Sequence, residues 1–225
     1  MQEIWDRIEA GLAIHAPSII PLLQPGASEE DIKNAETKLG IEFPEDVRES
    51  YRIHNGRLDE EGFLSGWTEF YSLEDIFRQW DIWREVLETE PLIDFQREIE
   101  GPIKPDLFNL RWIPLLGNGC GDHCCLDLDP SPEGQVGQVI VLIHDDLDME
   151  VSAPSFRALL ANFADELHAG TYTFSEEYGG LIAVTDLAEF QEEDRKYAQF
   201  MQQYPDQKQA HEAFYEYKRQ KAKNH

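Results

Sequence analysis

Apolar residues recur every three or four positions along much of the chain, a pattern typical of amphipathic helices. The clearest stripe begins after Ser72, and its members are Leu73, Ile76, Phe77, Trp80, Trp83 and Leu87. Weaker stripes predict a first helix over residues 4–12 and a later helix that begins at Pro154 and ends before Gly170. These segments predict that helices make up a large part of the fold.

Two further helices are marked by the residues at their ends. Ser28 and Asp31 have the spacing of a capping box, in which a serine hydroxyl accepts a hydrogen bond from a free backbone N–H at the helix start. Gly40 supplies the left-handed residue that closes this helix. Pro44 opens the next helix, because proline is tolerated in a first turn. We predict that this helix continues to Asn55.

Strand-like runs occupy the middle of the chain. They predict strands over 112–116, 123–128 and 138–144, with a hairpin loop at 134–137 between the last two. Helices and strands come in separate runs, without the alternation that produces a parallel sheet. The sequence therefore predicts an α+β fold, with a mainly antiparallel sheet covered by helices.

The domain organisation follows from changes in composition. Residues 88–110 are acidic and contain three prolines and a glycine, which indicates an insertion. Residues 171–225 predict a small hairpin followed by polar helices. We therefore expect one domain over 1–170 and a helical C-terminal extension over 171–225.

Composition excludes several classes of protein. The chain has 225 residues, of which 41% are hydrophobic, so it is too apolar to be disordered. Its formal net charge of −26 opposes general binding to nucleic acid or anionic membranes, because both surfaces are negative. The longest aliphatic run, 139–143, is far shorter than a membrane span, and the first residues do not resemble a signal peptide. We expect a cytoplasmic protein.

The three cysteines and one histidine of residues 120–125 raise the question of a metal or a nucleophile. No second cysteine pair completes a tetrahedral zinc site, and the adjacent residues Cys124 and Cys125 would point to opposite faces of a strand. Nearby aspartates such as Asp122 and Asp127 raise a thiol pKa, which disfavours a reactive thiolate. We expect no metal, no cofactor and no catalytic residue, and we interpret these cysteines as small buried side chains.

The order of the motifs resembles a known family. The matching segments are 25–32, 35–40, 44–46, Tyr51, 54–56, 71–80, 112–114, 117–119, 121–122, 125–130 and 137–139. Together they are similar to the fungal cell-wall assembly and glucan-synthesis regulator family, part of the SUKH superfamily. The resemblance covers about residues 20–168, and it implies a SUKH-like fold for them.

The resemblance implies two functional hypotheses. Bacterial members of the family are mostly immunity proteins that neutralise toxins, so the first hypothesis is a non-catalytic inhibitor of a cognate toxin domain. Nuclease toxins are basic, and the charge of this chain suits such a partner. The second hypothesis is an intracellular regulatory or scaffold module that binds signalling or cell-wall-synthesis partners, as the fungal members do.

Two acidic loops are the candidate contacts for a basic partner. Binding residues concentrate in loops, and charge on a loop steers association. The residues are Asp59, Glu60, Glu61, Asp145, Asp146 and Asp148. Asp127 with Asp129, and Asp145 with Asp146 and Asp148, could supply oxygen ligands for calcium, but neither group has the glycine and the terminal glutamate of an EF-hand loop, so we expect no calcium.

Overall fold

A computed structural model describes residues 1–58, 69–89, 98–143, 148–177, 180–204 and 206–222 of the protein. Side chains are described up to residue 219. The chain divides into two compact units, 1–182 and 183–225. The acidic triplet predicted at 59–61, part of the proposed insertion and most of the second acidic loop lie outside the described residues.

The helices of the first unit follow the apolar stripes. They are α1 (Gln2–His15), α2 (Glu29–Leu39), α3 (Glu45–Tyr51), α4 (Leu73–Thr89) and α5 (Phe156–His168). The predicted capping box of α2 is confirmed, because the Ser28 hydroxyl accepts from the Asp31 N–H at 3.2 Å and the Ser28 N–H donates to the Asp31 carboxylate at 3.0 Å. Gly40 closes this helix in the left-handed conformation, with φ of 66°.

The strands are β1 (Leu23–Pro25), β2 (His54–Arg57), β3 (Glu69–Phe70), β4 (Ile99–Glu100), β5 (Trp112–Gly117), β6 (His123–Asp127), β7 (Gln138–Leu142), β8 (Met149–Ala153), β9 (Tyr172–Ser175) and β10 (Gly180–Ala183). The main sheet has the order β3-β5-β6-β7-β8-β4, and its pairs are antiparallel except for β4 with β8. Two small sheets pair β1 with β2 and β9 with β10. The predicted α+β class is confirmed.

The prediction that the third helix reaches Asn55 is wrong. Helix α3 ends at Tyr51, and β2 begins three residues later. A continuing helix would use the Tyr51 carbonyl to accept from the Asn55 N–H, but the Ala27 N–H donates to that carbonyl at 2.8 Å. Pairing of β2 with β1 then fixes the extended conformation, with Arg57 opposite Leu23.

The core of the sheet is built from side chains of α4 and the central strands. One buried cluster consists of Trp83, Ile103, Trp112, Cys125, Ile140, Leu142 and Met149. Elsewhere the Trp5 ring of α1 stacks on Phe70 with centroids 5.8 Å apart, and Tyr51 lies 5.7 Å from the same ring. The short β3 is therefore anchored by aromatic rings from α1 and α3.

The second unit is made of two helices, α6 (Val184–Gln203) and α7 (Gln207–Ala222). Phe214 of α7 contacts Tyr197 and Phe200 of α6, with centroids 5.2 and 5.8 Å away. The Lys218 ammonium donates to the Glu193 carboxylate at 2.8 Å. Searching the described part of the chain finds no helix with the length and apolarity to cross a bilayer.

Candidate functional site

One of the predicted partner-binding acids, Asp148, lies within the described residues, and it is half-buried. Its carboxylate accepts a hydrogen bond from the Glu98 N–H at 3.0 Å, and its carbonyl accepts from the Ile143 N–H at 3.0 Å. Asp148 therefore joins the start of β4 to the edge of β8. A contact with a partner at this residue stays a prediction, as it does for the five acids outside the described residues.

The cysteines occupy two environments. The prediction that Cys120 is buried is wrong, because this residue lies exposed in a turn between Gly119 and Gly121, before β6. Cys124 and Cys125 are fully buried in that strand, as predicted. Burial raises the pKa of the Cys124 thiol to about 12 and that of Cys125 well above its usual range. Both buried thiols stay protonated at neutral pH, which makes them poor nucleophiles and poor metal ligands. Within the described ranges, no three His, Cys, Asp or Glu side chains form a group suited to a metal ion.

His123 belongs to a buried polar cluster with Tyr71 and Glu69. The Tyr71 hydroxyl donates to the Glu69 carboxylate at 2.8 Å and lies 3.4 Å from Nδ1 of His123. The edge of the His123 ring faces Trp83 at a centroid distance of 5.2 Å. Burial, reinforced by the hydrogen bond to Glu69, raises the pKa of Tyr71 well above its usual value. The neutral phenol donates to Glu69 of β3 and lies next to His123 of β6, so it links the two strands.

A surface cleft of about 810 Å³ lies between the α2–α3 connection and the loops of the main sheet. Lys33 and Thr37 of α2 belong to its α2–α3 wall, and we call the lining from Arg111 and Val136 the opposite wall. The apolar lining, which we call the floor, is made by Ile41, Phe43, Pro44 and Leu128. An open cleft with an apolar floor and charged rims suits a macromolecular segment better than an enclosed small molecule.

The α2–α3 wall is held in place by a buried carboxylate. Oε1 of Glu36 accepts from the Phe43 N–H at 2.9 Å and from the Arg48 guanidinium at 3.2 Å. The Ile41 N–H donates to the Glu36 carbonyl at 3.1 Å. The connection from Gly40 to Pro44 therefore has a defined conformation, although it is a loop.

The opposite wall is fixed by its own backbone geometry. Gly137 has φ of 90°, and a Cβ on it would be in ordinary van der Waals contact with the Pro44 side chain, 3.4 Å from its Cγ. The Gly137 N–H donates to the Asp127 carbonyl at 2.8 Å. Because glycine accepts a positive φ at no steric cost, the loop that carries Val136 has a defined conformation beside Pro44.

The Asp129 carboxylate, near this wall, forms an ion pair within the fold. The Asp129 carboxylate accepts from the Lys104 ammonium at 2.5 Å and from the Asn109 amide at 3.0 Å. The hydrogen bond to Lys104 and the one to Asn109 lower the pKa of Asp129, and the charge of Arg111 adds to this effect. The ionised Asp129 side chain therefore holds the 104–111 segment in place through Lys104 and Asn109.

Sequence reasoning placed the site in the acidic loops and missed the cleft. Its walls come from segments about 80 to 100 positions apart, so their proximity is invisible in any local pattern. One signal was present: Val136 is a large apolar residue inside a turn of polar and glycine residues, and its side chain is 65% exposed. A single exposed apolar residue is common on protein surfaces, so this signal alone did not locate the cleft.

These features define an α+β protein with an open surface cleft and neutral, buried thiols. The profile of the SMI1 / KNR4 family (SUKH-1) matches residues 26–162, and the chain belongs to this family. That span contains both walls of the cleft. The family resemblance found in the sequence is confirmed.

Curated relatives agree with this assignment. The chain is 26% identical over 204 residues to "Cell wall assembly regulator SMI1" of Saccharomyces cerevisiae, covering 75% of the chain and 40% of the relative. It is 28% identical over 196 residues to "Cell wall biosynthesis/cell cycle regulator smi1" of Schizosaccharomyces pombe, covering 80% and 39%. A shorter match of 39% over 79 residues, 34% of the chain and 17% of the relative, joins it to "F-box only protein 3" of Homo sapiens. The chain spans about two fifths of the length of the two fungal regulators.

Proposed function

We propose that the protein is a non-catalytic regulatory or scaffold module that acts by binding a protein partner. The observation that carries this proposal is family membership across residues 26–162, together with relatives that are named regulators of cell wall assembly. The partner class that follows is a component of signalling or cell-wall synthesis. Membership of a family does not identify the residues that bind the partner, because function depends on the particular site on the fold.

The chemistry of the described residues supports a role without catalysis. Cys124, Cys125 and Tyr71 all have raised pKa values because they are buried, so they remain neutral at physiological pH. A nucleophile or general base needs the opposite, a pKa near or below the working pH. Glu36 and Asp129 are ionised side chains that stabilise the fold through hydrogen bonds and ion pairs.

The experiment is affinity purification of the tagged full chain from cells that express it naturally. We expect a stoichiometric complex on size exclusion, with a partner that mass spectrometry identifies as a component of signalling or cell-wall synthesis. An unrelated protein of equal size and net charge, handled in the same way, controls for capture by charge alone. If the chain elutes alone at every salt concentration tested, the proposal is wrong.

A second candidate is an immunity protein that neutralises a toxin domain. The observation that favours it is the net charge of −26, which complements a basic partner such as a nuclease. Co-expression with a toxin encoded beside this chain is the test, and survival that depends on this protein is the expected result. Unimpaired toxicity at saturating protein would remove this candidate and leave the regulatory proposal intact.

The acidic loops give the second candidate a finer test. Changing Asp59, Glu60 and Glu61 together to lysine, or Asp145, Asp146 and Asp148, should slow association with a basic toxin and weaken its dependence on salt. Dissociation should change less, since buried anchors usually set it. Stopped-flow binding separates the two rates. Identical association rates for both variants and the wild type would exclude these loops from the contact.

A further inference from the structure

The lining of the cleft carries two cations that form no ion pair with the described acidic side chains, although the charge of Arg111 lowers the pKa of Asp129. Lys33 and Arg111 are both exposed, and neither lies within 4.0 Å of a described acidic side chain. By contrast, Arg48 and Arg52 are bound by the carboxylates of Glu29 and Glu45. The chain has 45 acidic and 19 basic side chains, so a basic side chain can usually find an acidic partner. Lys33 and Arg111, which line the same cleft, form no ion pair among the described residues.

The apolar lining of the cleft is mostly buried, since Ile41, Phe43 and Leu128 are 5–7% exposed. Val136 lines the same cleft and is 65% exposed, so it is the main apolar surface that a ligand can cover. Covering Val136 would remove apolar surface from water, which favours binding. The cleft thus offers one apolar contact flanked by two positive charges.

We propose that this cleft binds an extended peptide segment of a protein partner, in which an apolar side chain is flanked by acidic ones. The proposal rests on the protein-binding function proposed above and assigns it a surface. The apolar side chain packs on the floor against Val136, and the carboxylates pair with Lys33 and Arg111. The pre-set conformations of the two walls reduce the ordering cost of binding.

The same surface argues against a polyanion such as nucleic acid. Glu42 also lines the cleft, so a uniformly negative backbone would meet a like charge there. The net charge of −26 repels a long phosphate chain from a distance, whereas a short peptide with two carboxylates gains from the local cations and from apolar burial. The local cations of the cleft and the negative net charge of the chain therefore both favour a short peptide that combines acidic and apolar residues.

The test begins with a phage-displayed library of random twelve-residue peptides selected on the full chain. We expect enriched sequences that combine Asp or Glu with a large apolar residue. The best sequence is then synthesised with a fluorescent label, and its affinity is measured by fluorescence polarisation. Lys33→Glu with Arg111→Glu should weaken binding by about tenfold or more, as reversal of two contacting charges does at interfaces.

Two further variants separate a local effect from changes in charge or folding. Arg195→Glu with Lys208→Glu makes the same change in net charge on α6 and α7, and it should leave the affinity within about twofold. Val136→Ser keeps all charges and removes only exposed apolar surface, so it should weaken binding by about threefold or more without loss of stability. Urea unfolding verifies that each variant is folded.

Each remaining outcome overturns the inference. Enriched peptides without acidic residues, or equal affinity of the peptide for all variants, would exclude this cleft as the site. Tighter binding of a labelled RNA or DNA oligomer, lost in the Lys33 and Arg111 variant, would replace the peptide with a nucleic acid. A library that yields no binder would exclude a short peptide. The natural complex found by affinity purification would survive any of these results, so the two proposals fail separately.

Discussion

The side-chain amide of Gln138 donates a hydrogen bond of 2.9 Å to the fully buried carboxylate of Asp127. The second carboxylate oxygen accepts from the Asp129 N–H at 2.9 Å. The same amide nitrogen of Gln138 also donates to the Pro102 carbonyl. The side-chain oxygen of Gln138 accepts from the Gln135 N–H. The pair of Asp127 and Gln138 thus joins the end of β6 to the start of β7, and Gln138 also joins them to the 98–110 segment.

This pair predicts that Asp127→Asn destabilises the protein although it removes a buried charge. Both oxygens of Asp127 accept hydrogen bonds, and an asparagine would turn one of them into a donor that faces the Gln138 amide nitrogen. We expect a loss of about 1–3 kcal/mol in the free energy of unfolding, measured with urea. The exposed Asp6→Asn should change it by less than about 0.5 kcal/mol. Equal effects of the two changes would contradict the assigned role of Asp127.

The same carboxylate predicts a dependence of stability on pH. Burial raises the pKa of Asp127 above its usual value, so the native state takes up a proton at a higher pH than the unfolded chain does. The contribution of Asp127 to stability therefore rises as pH falls from the folded pKa to the ordinary value of about 4. The difference between the wild type and Asp127→Asn in urea unfolding should move in favour of the wild type over this window. A difference that is constant with pH would show that the pKa is not raised.

Tyr51→Phe tests the link between α3 and the start of α4. The Tyr51 hydroxyl is buried and donates to the Tyr71 carbonyl at 2.8 Å, so its removal leaves that carbonyl without this partner. We expect a loss of about 1–2 kcal/mol in the free energy of unfolding. Tyr215 is 62% exposed, and Tyr215→Phe is the matched control that should be neutral. Equal stabilities would mean that water replaces the hydroxyl.

Ser28→Ala tests the capping box of α2. Loss of an N-cap side chain costs about 1 kcal/mol, whereas Ser28→Asn retains a side-chain acceptor and should cost little. Hydrogen bonds from the hydroxyl and the N–H of Ser28 lower the pKa of Asp31, so this pKa should rise toward its ordinary value in Ser28→Ala. An NMR titration of the Asp31 carboxylate measures that shift. An unchanged pKa would mean that the backbone N–H alone holds the carboxylate.

Thiol labelling tests the burial of the cysteines. Cys120 is exposed, whereas burial raises the pKa of Cys124 and Cys125. At pH 8 we expect a thiol reagent to modify one cysteine of the native protein rapidly and all three after denaturation. Cys120→Ser should abolish the rapid phase and leave two thiols that react only when the chain unfolds. Rapid reaction of that variant would show that β6 opens in the native state.

The parts of the fold that sequence predicted well have local causes. Helix α2 is specified by Ser28 and Asp31 at one end and Gly40 at the other, all within thirteen consecutive positions. The strand pair β6–β7 follows from apolar runs around one turn. In each case the residues that decide the structure are neighbours in the chain, so a local pattern contains the necessary information.

The parts that sequence missed depend on distant partners. His54 continues a helical pattern from α3, but β2 forms because β1 lies beside it and the Tyr51 carbonyl is taken by Ala27. The cleft likewise forms where residues 33–44 meet Arg111, Leu128 and Val136, which are distant from them in the chain. Such contacts override local preference, and a single sequence does not report them.

The order of the main sheet has a consequence for the folding pathway. Strands β5 to β8 pair in the order in which they occur in the chain, whereas β3 and β4 reach the two edges from earlier positions. Contacts between neighbouring segments close short loops and form at low entropic cost. We therefore expect the β5–β8 meander to assemble early and α1 to dock late, so substitutions at Trp5 should accelerate unfolding more than they slow refolding.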